Sequence, residues 1–186
     1  SFELDAGCCL QVTGVNGAGK TTLLRALCGL VDLEEGELQW RGAPTSRSAP
    51  AYHAELAYLG HDAPLKGDLT GSENIGYAAE LRRGLPVDGV SKALERVGAT
   101  AFADRPVRSL SAGQRRRVAF AALWLCGVPL WILDEPNTNL DTQGQALVAG
   151  LIEEQLAGGG LVVAAVHQEL SLASGRLVEL VIGGRG

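Results

Sequence analysis

The sequence has 186 residues and a formal net charge of −5, with 46% hydrophobic and 20% charged residues. This balance is typical of one globular domain and unlike that of a disordered chain. The acidic charge, without a long basic run, argues against a partner recognised through nucleic-acid phosphates.

The longest apolar run, 118–133, is interrupted by Gly127 and Pro129. It is shorter than the roughly 20 residues of a membrane-spanning helix, so we expect any membrane contact to come through a partner. The cysteines have no C-x-x-C spacing and lie in apolar stretches, which predicts buried thiols rather than metal ligands or disulfides. They are Cys8, Cys9, Cys28 and Cys126. Because the sequence begins at Ser1 and contains no methionine, we expect the natural N-terminus to be missing.

Taken in chain order, the hydrophobic pattern alternates between short buried strands and amphipathic helices. Strands are predicted at 8–13, 37–40, 56–59, 130–133, 161–166 and 177–182, and helices at 20–28, 71–83, 87–97, 111–126 and 142–156. Such alternation predicts an α/β fold with a mainly parallel sheet. We interpret 1–186 as one domain in which about 71–126 form an inserted helical subdomain.

The turn after the first strand has the pattern of a phosphate-binding loop. Its residues match G-x-x-x-x-G-K-[ST] without a mismatch: Gly14, Val15, Asn16, Gly17, Ala18, Gly19, Lys20 and Thr21. Glycines let the backbone pass close to phosphates, and the following helix adds the positive end of its dipole. We predict that Lys20 reaches the β- and γ-phosphates of ATP, that the Thr21 hydroxyl binds Mg²⁺, and that Thr22 adds a phosphate contact.

The strand at 130–133 ends in two acids, Asp134 and Glu135. Placing carboxylates at the end of a buried strand is costly unless a cation compensates them. Asp134 is therefore a candidate Mg²⁺ partner, and Glu135 is the candidate base that polarises the attacking water.

A second candidate anion site lies at the start of the strongest predicted helix, at Ser111, Ala112, Gly113 and Gln114. Ser111 in the N-cap position and two small residues leave backbone N–H groups exposed there. The same Ser-x-x-Gln pattern is also an ordinary capping box, so the residues alone leave both interpretations open. Arg115, Arg116 and Arg117 follow, and we predict that they form a solvated helix face.

In order and spacing, these three motifs resemble the Walker A, signature and Walker B elements of ABC ATPases. The resemblance implies a P-loop fold and a homodimer that binds ATP and Mg²⁺ between its copies, with Lys20, Glu135 and His167 as catalytic residues. It also places Asn139-Leu140-Asp141 at the D-loop, and His167 at the switch histidine that contacts the γ-phosphate. The family's glutamine loop is replaced by 58–62, where His61 takes the position of the glutamine. We also expect the family's N-terminal strand to be missing.

Several stretches are similar to one subfamily, the ATP-binding subunits of haem exporters in cytochrome c maturation. They are Tyr58-Leu59-Gly60-His61, Leu69-Thr70 with Glu73-Asn74, Gln114 to Ala119, Leu123-Trp124-Leu125, Pro129 to Pro136, and His167-Gln168. This resemblance implies integral membrane permease subunits as partners, with Leu65-Lys66-Gly67 either at their docking groove or in an ordinary surface loop. It also implies a peripheral location on the cytoplasmic face of the bacterial inner membrane. The alternatives are a cassette of another ABC importer or exporter, and a soluble ABC ATPase that acts on nucleic acid or ribosomes.

Overall fold

The computed structural model describes residues 1–45, 49–81, 89–172 and 176–183. The chain forms two compact units. The first comprises Ser1–Tyr58, Val128–Pro136 and Ile152–Gly186, and the second comprises Leu59–Gly127 and Asn137–Leu151. Within the described ranges, no helix has both the length and the apolar character needed to cross a membrane.

The strands form one five-stranded sheet and a separate two-stranded pair. In chain order they are β1 (Cys9–Thr13), β2 (Gln39–Trp40), β3 (Ala43–Pro44), β4 (Leu56–Leu59), β5 (Leu130–Asp134), β6 (Leu161–Ala165) and β7 (Leu177–Val181). The large sheet has the order β4-β5-β6-β1-β7, and β1 runs parallel to both of its neighbours, as β5 does to β6. The predicted α/β fold with a mainly parallel sheet is therefore confirmed. The short β3 was not predicted, because two residues are too few to give a period.

The helices are α1 (Lys20–Leu27), α2 (Pro50–Ala54), α3 (Gly71–Leu81), α4 (Gly89–Arg96), α5 (Ala112–Leu125) and α6 (Thr142–Ala157). Two 3₁₀ turns lie at Thr100–Phe102 and Val107–Ser109. The α5 and α6 predictions are confirmed almost to the residue. The predicted boundary between α3 and α4, at 83 and 87, lies outside the described residues. The single-turn α2 was missed because five residues carry little helical periodicity.

The core of the first unit explains why its central strands are apolar throughout. Every residue of β5 is buried, and in β1 only Thr13 is partly exposed. Strands buried on both faces need side chains that prefer the interior on both faces, which gives continuous apolar runs instead of alternation. Trp131 is only 2% exposed, whereas Trp124 on α5 is half-buried.

The second unit is built around α5, which packs against α3 and α4. Val118 and Phe120 on α5 are completely buried. The predicted solvated face of three arginines is wrong at its middle member, because Arg116 is only 4% exposed. Its guanidinium turns inward and donates to backbone carbonyls, as described below.

All four cysteines are free, but the prediction that all are buried is only half right. Cys9 and Cys28 are buried, and burial raises the pKa of each thiol to about 12. Cys8 and Cys126 are half-buried. Among the described residues, no group of three or more His, Cys, Asp or Glu side chains could hold a metal ion.

Candidate functional site

The sheet order brings three chain segments to one edge of the first unit. The phosphate loop follows β1, Glu135 follows β5, and His167 lies just beyond β6, while β6 is the neighbour of both β1 and β5. The carboxyl ends of adjacent parallel strands open on the same edge, where α/β proteins bind ligands. A cavity of about 350 Å³ lies there, lined by Asn16, Gly17, Gly19, Lys20, Thr21, Thr22, Glu135 and His167.

Glycines shape the phosphate loop in two different ways. Gly14 has φ +146° and lies against the end of β7, where a Cβ atom would be 2.3 Å from the Ile182 carbonyl oxygen. Gly17 and Gly19 have φ +81° and +99°, with no atom within 4 Å of an added Cβ. Gly14 is thus required by both packing and conformation, whereas Gly17 and Gly19 are required by conformation alone.

Lys20 is held by the loop that it follows. It opens α1 and is 8% exposed. Its Nζ donates to the carbonyl oxygens of Gly14 (2.7 Å) and Val15 (3.4 Å). In these two contacts the ammonium group meets carbonyl oxygens and not carboxylates. Its positive charge is therefore available to a phosphate.

Glu135 and His167 form a hydrogen-bonded pair in the cavity lining. Glu135 Oε1 lies 2.7 Å from His167 Nε2. Glu135 also has φ +49°, a left-handed conformation that is uncommon for a residue with a side chain, and its N–H donates to the Ala165 carbonyl (2.9 Å). A strained backbone at a cavity is one way in which a fold aims a reactive side chain. The carboxylate is consequently fixed both by the strand edge and by the imidazole.

Asp134 ends β5 and is 3% exposed. Its negative charge, after burial itself, raises the pKa of Tyr58 on β4, while a hydrogen bond from the Arg25 side chain lowers it. Asp134 is therefore within electrostatic reach of the Tyr58 phenol.

Gln11 was missed by the sequence analysis. This side chain in β1 is 1% exposed, and its Oε1 accepts a hydrogen bond from the Leu170 N–H (2.8 Å). Leu170 lies three residues after His167, so Gln11 anchors the segment that follows the candidate switch histidine. A polar residue inside the otherwise apolar run at 8–12 was the available signal, since buried polar groups are nearly always hydrogen-bonded.

The signature residues lie in the second unit, at the start of α5. Ser111 is the N-cap, and its Oγ accepts from the Gln114 N–H (3.2 Å) while Gln114 Oε1 accepts from the Ser111 N–H (3.0 Å). The capping box that the sequence analysis left open is thus present. It does not exclude anion binding, because Ser111 and Ala112 are exposed and further N–H groups of the first turn remain.

The candidate D-loop lies beside this helix start. A Cβ on Gly113 would be 3.0 Å from the Asn139 carbonyl oxygen, and Asn139 itself has φ +63°. Asp141 Oδ1 accepts from the Gly144 N–H (2.7 Å), which caps α6. Gly113 therefore permits a close approach of backbone that a larger residue would prevent. His61 is exposed on the same unit.

The fold and the cavity define a P-loop nucleotide-binding protein of the ABC class. A family model described as ABC transporter matches residues 1–138. The chain is similar in fold to a putative ABC transporter ATP-binding protein from Pyrococcus furiosus, with a TM-score of 0.82, 24% identity and coverage of 96% of this chain and 86% of that one. It is similar as well to an ATP-binding cassette dimer in a post-hydrolysis state with ADP and Pi, with a TM-score of 0.80, 22% identity and coverage of 90% and 78%.

Relatives with higher identity carry a more particular name, cytochrome c biogenesis ATP-binding export protein CcmA. The relative from Nitrosococcus oceani is 47% identical over 97% of this chain and 82% of its own length. Those from Salmonella typhimurium (CcmA 1) and Vibrio cholerae are 43% and 41% identical, over 100% and 98% of this chain and 89% of their own lengths. The chain belongs to the ABC transporter family, and within it to the CcmA proteins.

Proposed function

We propose that the chain binds ATP in the cavity of the first unit and hydrolyses it with Glu135 as the base. The supporting observation is that one cavity is lined by the phosphate loop, by Lys20 and by the hydrogen-bonded pair of Glu135 and His167. A carboxyl group held 2.7 Å from an imidazole is suited to the positioning and polarising of a water. Lys20 and the N-terminal end of α1 offset the negative charge that develops on the γ-phosphate.

The residues present also fit a magnesium ion. Thr21 offers a hydroxyl at the cavity wall, and Asp134 offers a carboxyl group that ends β5 and is 3% exposed. Oxygen ligands of this kind, completed by phosphate oxygens and water, are what Mg²⁺ prefers. When bound, Mg²⁺ would neutralise the charge of the β- and γ-phosphates.

ATP hydrolysis is proposed to require two copies of the chain. The cavity is lined by residues of the first unit, and the exposed start of α5 in the second unit presents a candidate anion site that its own capping box leaves partly free. We propose that Ser111, Ala112, Gly113 and Gln114 of the second copy cover the γ-phosphate held by Gly14 to Thr22 of the first. A two-fold symmetric dimer then contains two such sites and depends on ATP for its stability.

We propose that ATP hydrolysis by this chain drives the haem-handling complex of cytochrome c maturation. The name shared by the relatives, a cytochrome c biogenesis export protein, supports this assignment. The permease subunits of that system are the proposed partners, and they would hold the chain peripherally on the cytoplasmic face of the bacterial inner membrane. Asn74 fixes a candidate docking loop, because its Oδ1 accepts from the Lys66 N–H (2.7 Å) and its Nδ2 donates to the Thr70 carbonyl (2.9 Å).

The test is a pull-down from detergent-solubilised membranes with the Glu135→Gln variant and ATP, compared with the same variant without ATP. Recovery of the membrane subunits of cytochrome c maturation is the expected result. Recovery of a different permease would overturn the haem assignment and leave the ATPase, whereas exclusive recovery of ribosomes or nucleic acid would overturn the transport function.

A further inference from the structure

The most unusual group outside the nucleotide cavity is the buried guanidinium of Arg116. This residue lies on α5, five positions after the helix cap Ser111, and is 4% exposed. Buried arginines are rare because removing a charge from water is costly unless several hydrogen bonds compensate it. A charge kept at this place in the second unit therefore calls for a specific role.

Two hydrogen bonds of Arg116 lead to one short segment. Its Nη1 donates to the Gly60 carbonyl oxygen at 2.8 Å and to the His61 carbonyl oxygen at 3.3 Å. Its Cζ lies 5.7 Å from the centroid of the Phe120 ring, one turn further along the same helix. Hydrogen bonds from a charged donor to two consecutive carbonyls fix both peptide planes, and the ring beneath limits where the guanidinium can move.

The segment that Arg116 holds carries exposed polar side chains. It consists of residues 60–62, and both His61 and Asp62 are exposed. The backbone of this segment is tied to α5, so the direction in which the two side chains point depends on the position of that helix. The segment follows directly after β4, which lies at the edge of the large sheet.

We propose that Arg116 is a positioning residue: it couples the position of residues 60–62 to the position of the N-terminal end of α5. A helix is stiff over the five residues from Ser111 to Arg116, about 7.5 Å at 1.5 Å per residue, so a displacement of its N-terminal end reaches Arg116 undiminished. Engagement of a nucleotide by Ser111–Gln114 is thereby transmitted to His61 and Asp62 through two hydrogen bonds. The link itself stands on the contacts given above, whereas its effect on turnover rests on the proposed function.

The chain provides a matched control in the next residue, Arg117. This arginine lies on the same helix and in the same unit, and its Nη1 also donates to a backbone carbonyl, that of Val97 (3.2 Å). Arg116→Met and Arg117→Met each remove one guanidinium and retain an unbranched apolar chain. Only the first removes the hydrogen bonds to residues 60 and 61.

The test combines hydrogen exchange with steady-state kinetics on the purified chain. In Arg116→Met, exchange of the backbone amides at 60–63 is expected to accelerate at least ~10-fold relative to the wild type, because the local restraint is lost. With ATP, kcat is expected to fall ~5- to 150-fold, the range of a typical coupling between sites, with less than a twofold change in KM. Arg117→Met is expected to leave the exchange at 60–63 and kcat unchanged.

The two readouts separate failure of this proposal from failure of the ATPase function. Unchanged exchange at 60–63 in folded Arg116→Met, or equal acceleration in Arg117→Met, overturns the positioning role whatever the activity. If Arg116→Met does not fold, Arg116→Gln carries the test, since glutamine keeps a polar side chain that is too short to place a donor where Nη1 contacts the two carbonyls. Faster exchange at 60–63 in Arg116→Gln supports the proposal, and wild-type exchange overturns it.

Discussion

The two anion-binding regions of this chain are built in opposite ways. The phosphate loop is organised by backbone conformation, with positive φ angles at Gly14, Gly17 and Gly19 and with Lys20 hydrogen-bonded to the loop carbonyls. The start of α5 is organised by side chains, since Ser111 and Gln114 cap each other's backbone. The shape of the first region therefore depends on backbone conformation, and that of the second depends on two side-chain hydrogen bonds.

This difference suits the roles proposed for the two regions. A loop that must bind nucleotide in a single copy gains from being preformed, because no ordering cost reduces its affinity. The start of α5 is proposed to bind ATP only in the dimer. Its capping box stabilises the helix in a single copy, before the dimer forms. We therefore expect substitutions in the first region to abolish binding or turnover in each copy, and substitutions in the second to act on the dimer.

The largest effect is expected for Glu135→Gln, which keeps the size of the side chain and removes its basicity. Turnover should fall by ~10²–10⁴-fold, the usual contribution of a positioned base, with ATP binding retained. Phosphate release measures turnover, and sedimentation velocity with ATP should reveal a dimer that persists. Normal turnover by this variant would remove Glu135 from the mechanism.

Next in size is the contrast between Gly14→Ala and Gly17→Ala. Both positions have positive φ, but only at Gly14 would the added methyl meet a backbone oxygen, that of Ile182. Gly14→Ala should lower the free energy of unfolding by ~3 kcal/mol and abolish nucleotide binding, whereas Gly17→Ala should cost about 1–2 kcal/mol from conformation alone. Urea titration gives the stabilities and isothermal titration the binding, and equal losses in the two variants would contradict the close contact.

In the second region, Ser111→Ala should cost about 1 kcal/mol of stability through the lost cap and should also reduce turnover ~10-fold by weakening ATP-dependent dimers. Ser109→Ala is the control, since Ser109 Oγ donates to the Pro106 carbonyl (2.7 Å) and its loss should lower stability by about the same amount. A Ser109→Ala variant with equally reduced turnover would show that stability alone accounts for the effect.

The smallest effect concerns two thiols, Cys9 in the strand before the phosphate loop and Cys126 at the C-terminal end of α5. Burial raises the pKa of Cys9 to about 12, so at pH 8.5 its thiolate is ~10³-fold scarcer than that of an ordinary cysteine. Iodoacetamide should therefore label the half-buried Cys126 well before Cys9, as followed by peptide mass spectrometry. Because the unfolded thiol ionises first as pH rises, the stability linked to Cys9 should decline above about pH 8.5.

Much of the fold and of the proposed site was accessible from the sequence because each depends on local rules. Continuous apolar runs identified β1 and β5, and the Ser-x-x-Gln pattern identified the start of α5. The positive φ of Glu135 and its hydrogen bond with His167 could not be predicted from the sequence, because they depend on the order of β5 and β6 in the sheet.

For Arg116, the sequence pattern led to a wrong prediction. The pattern of three successive arginines predicted a solvated face, but successive residues on a helix point about 100° apart and do not share one face. Its burial depends on the long-range approach of Gly60 and His61, which a local rule does not include. Gln11 is similar, because its partner Leu170 lies far along the sequence.

The proposed mechanism requires that ATP be shared between two copies of the chain, and a mixing experiment tests this directly. Lys20→Ala disables the phosphate loop, and Ser111→Glu places a negative charge where the second copy should meet the γ-phosphate, in a position that a helix N-terminus tolerates. Each variant alone should be inactive. In an equal mixture, half of the randomly formed dimers are mixed and each contains one intact site, so about a quarter of wild-type turnover should return. A mixture as inactive as its components would contradict sharing and place the whole reaction within one copy.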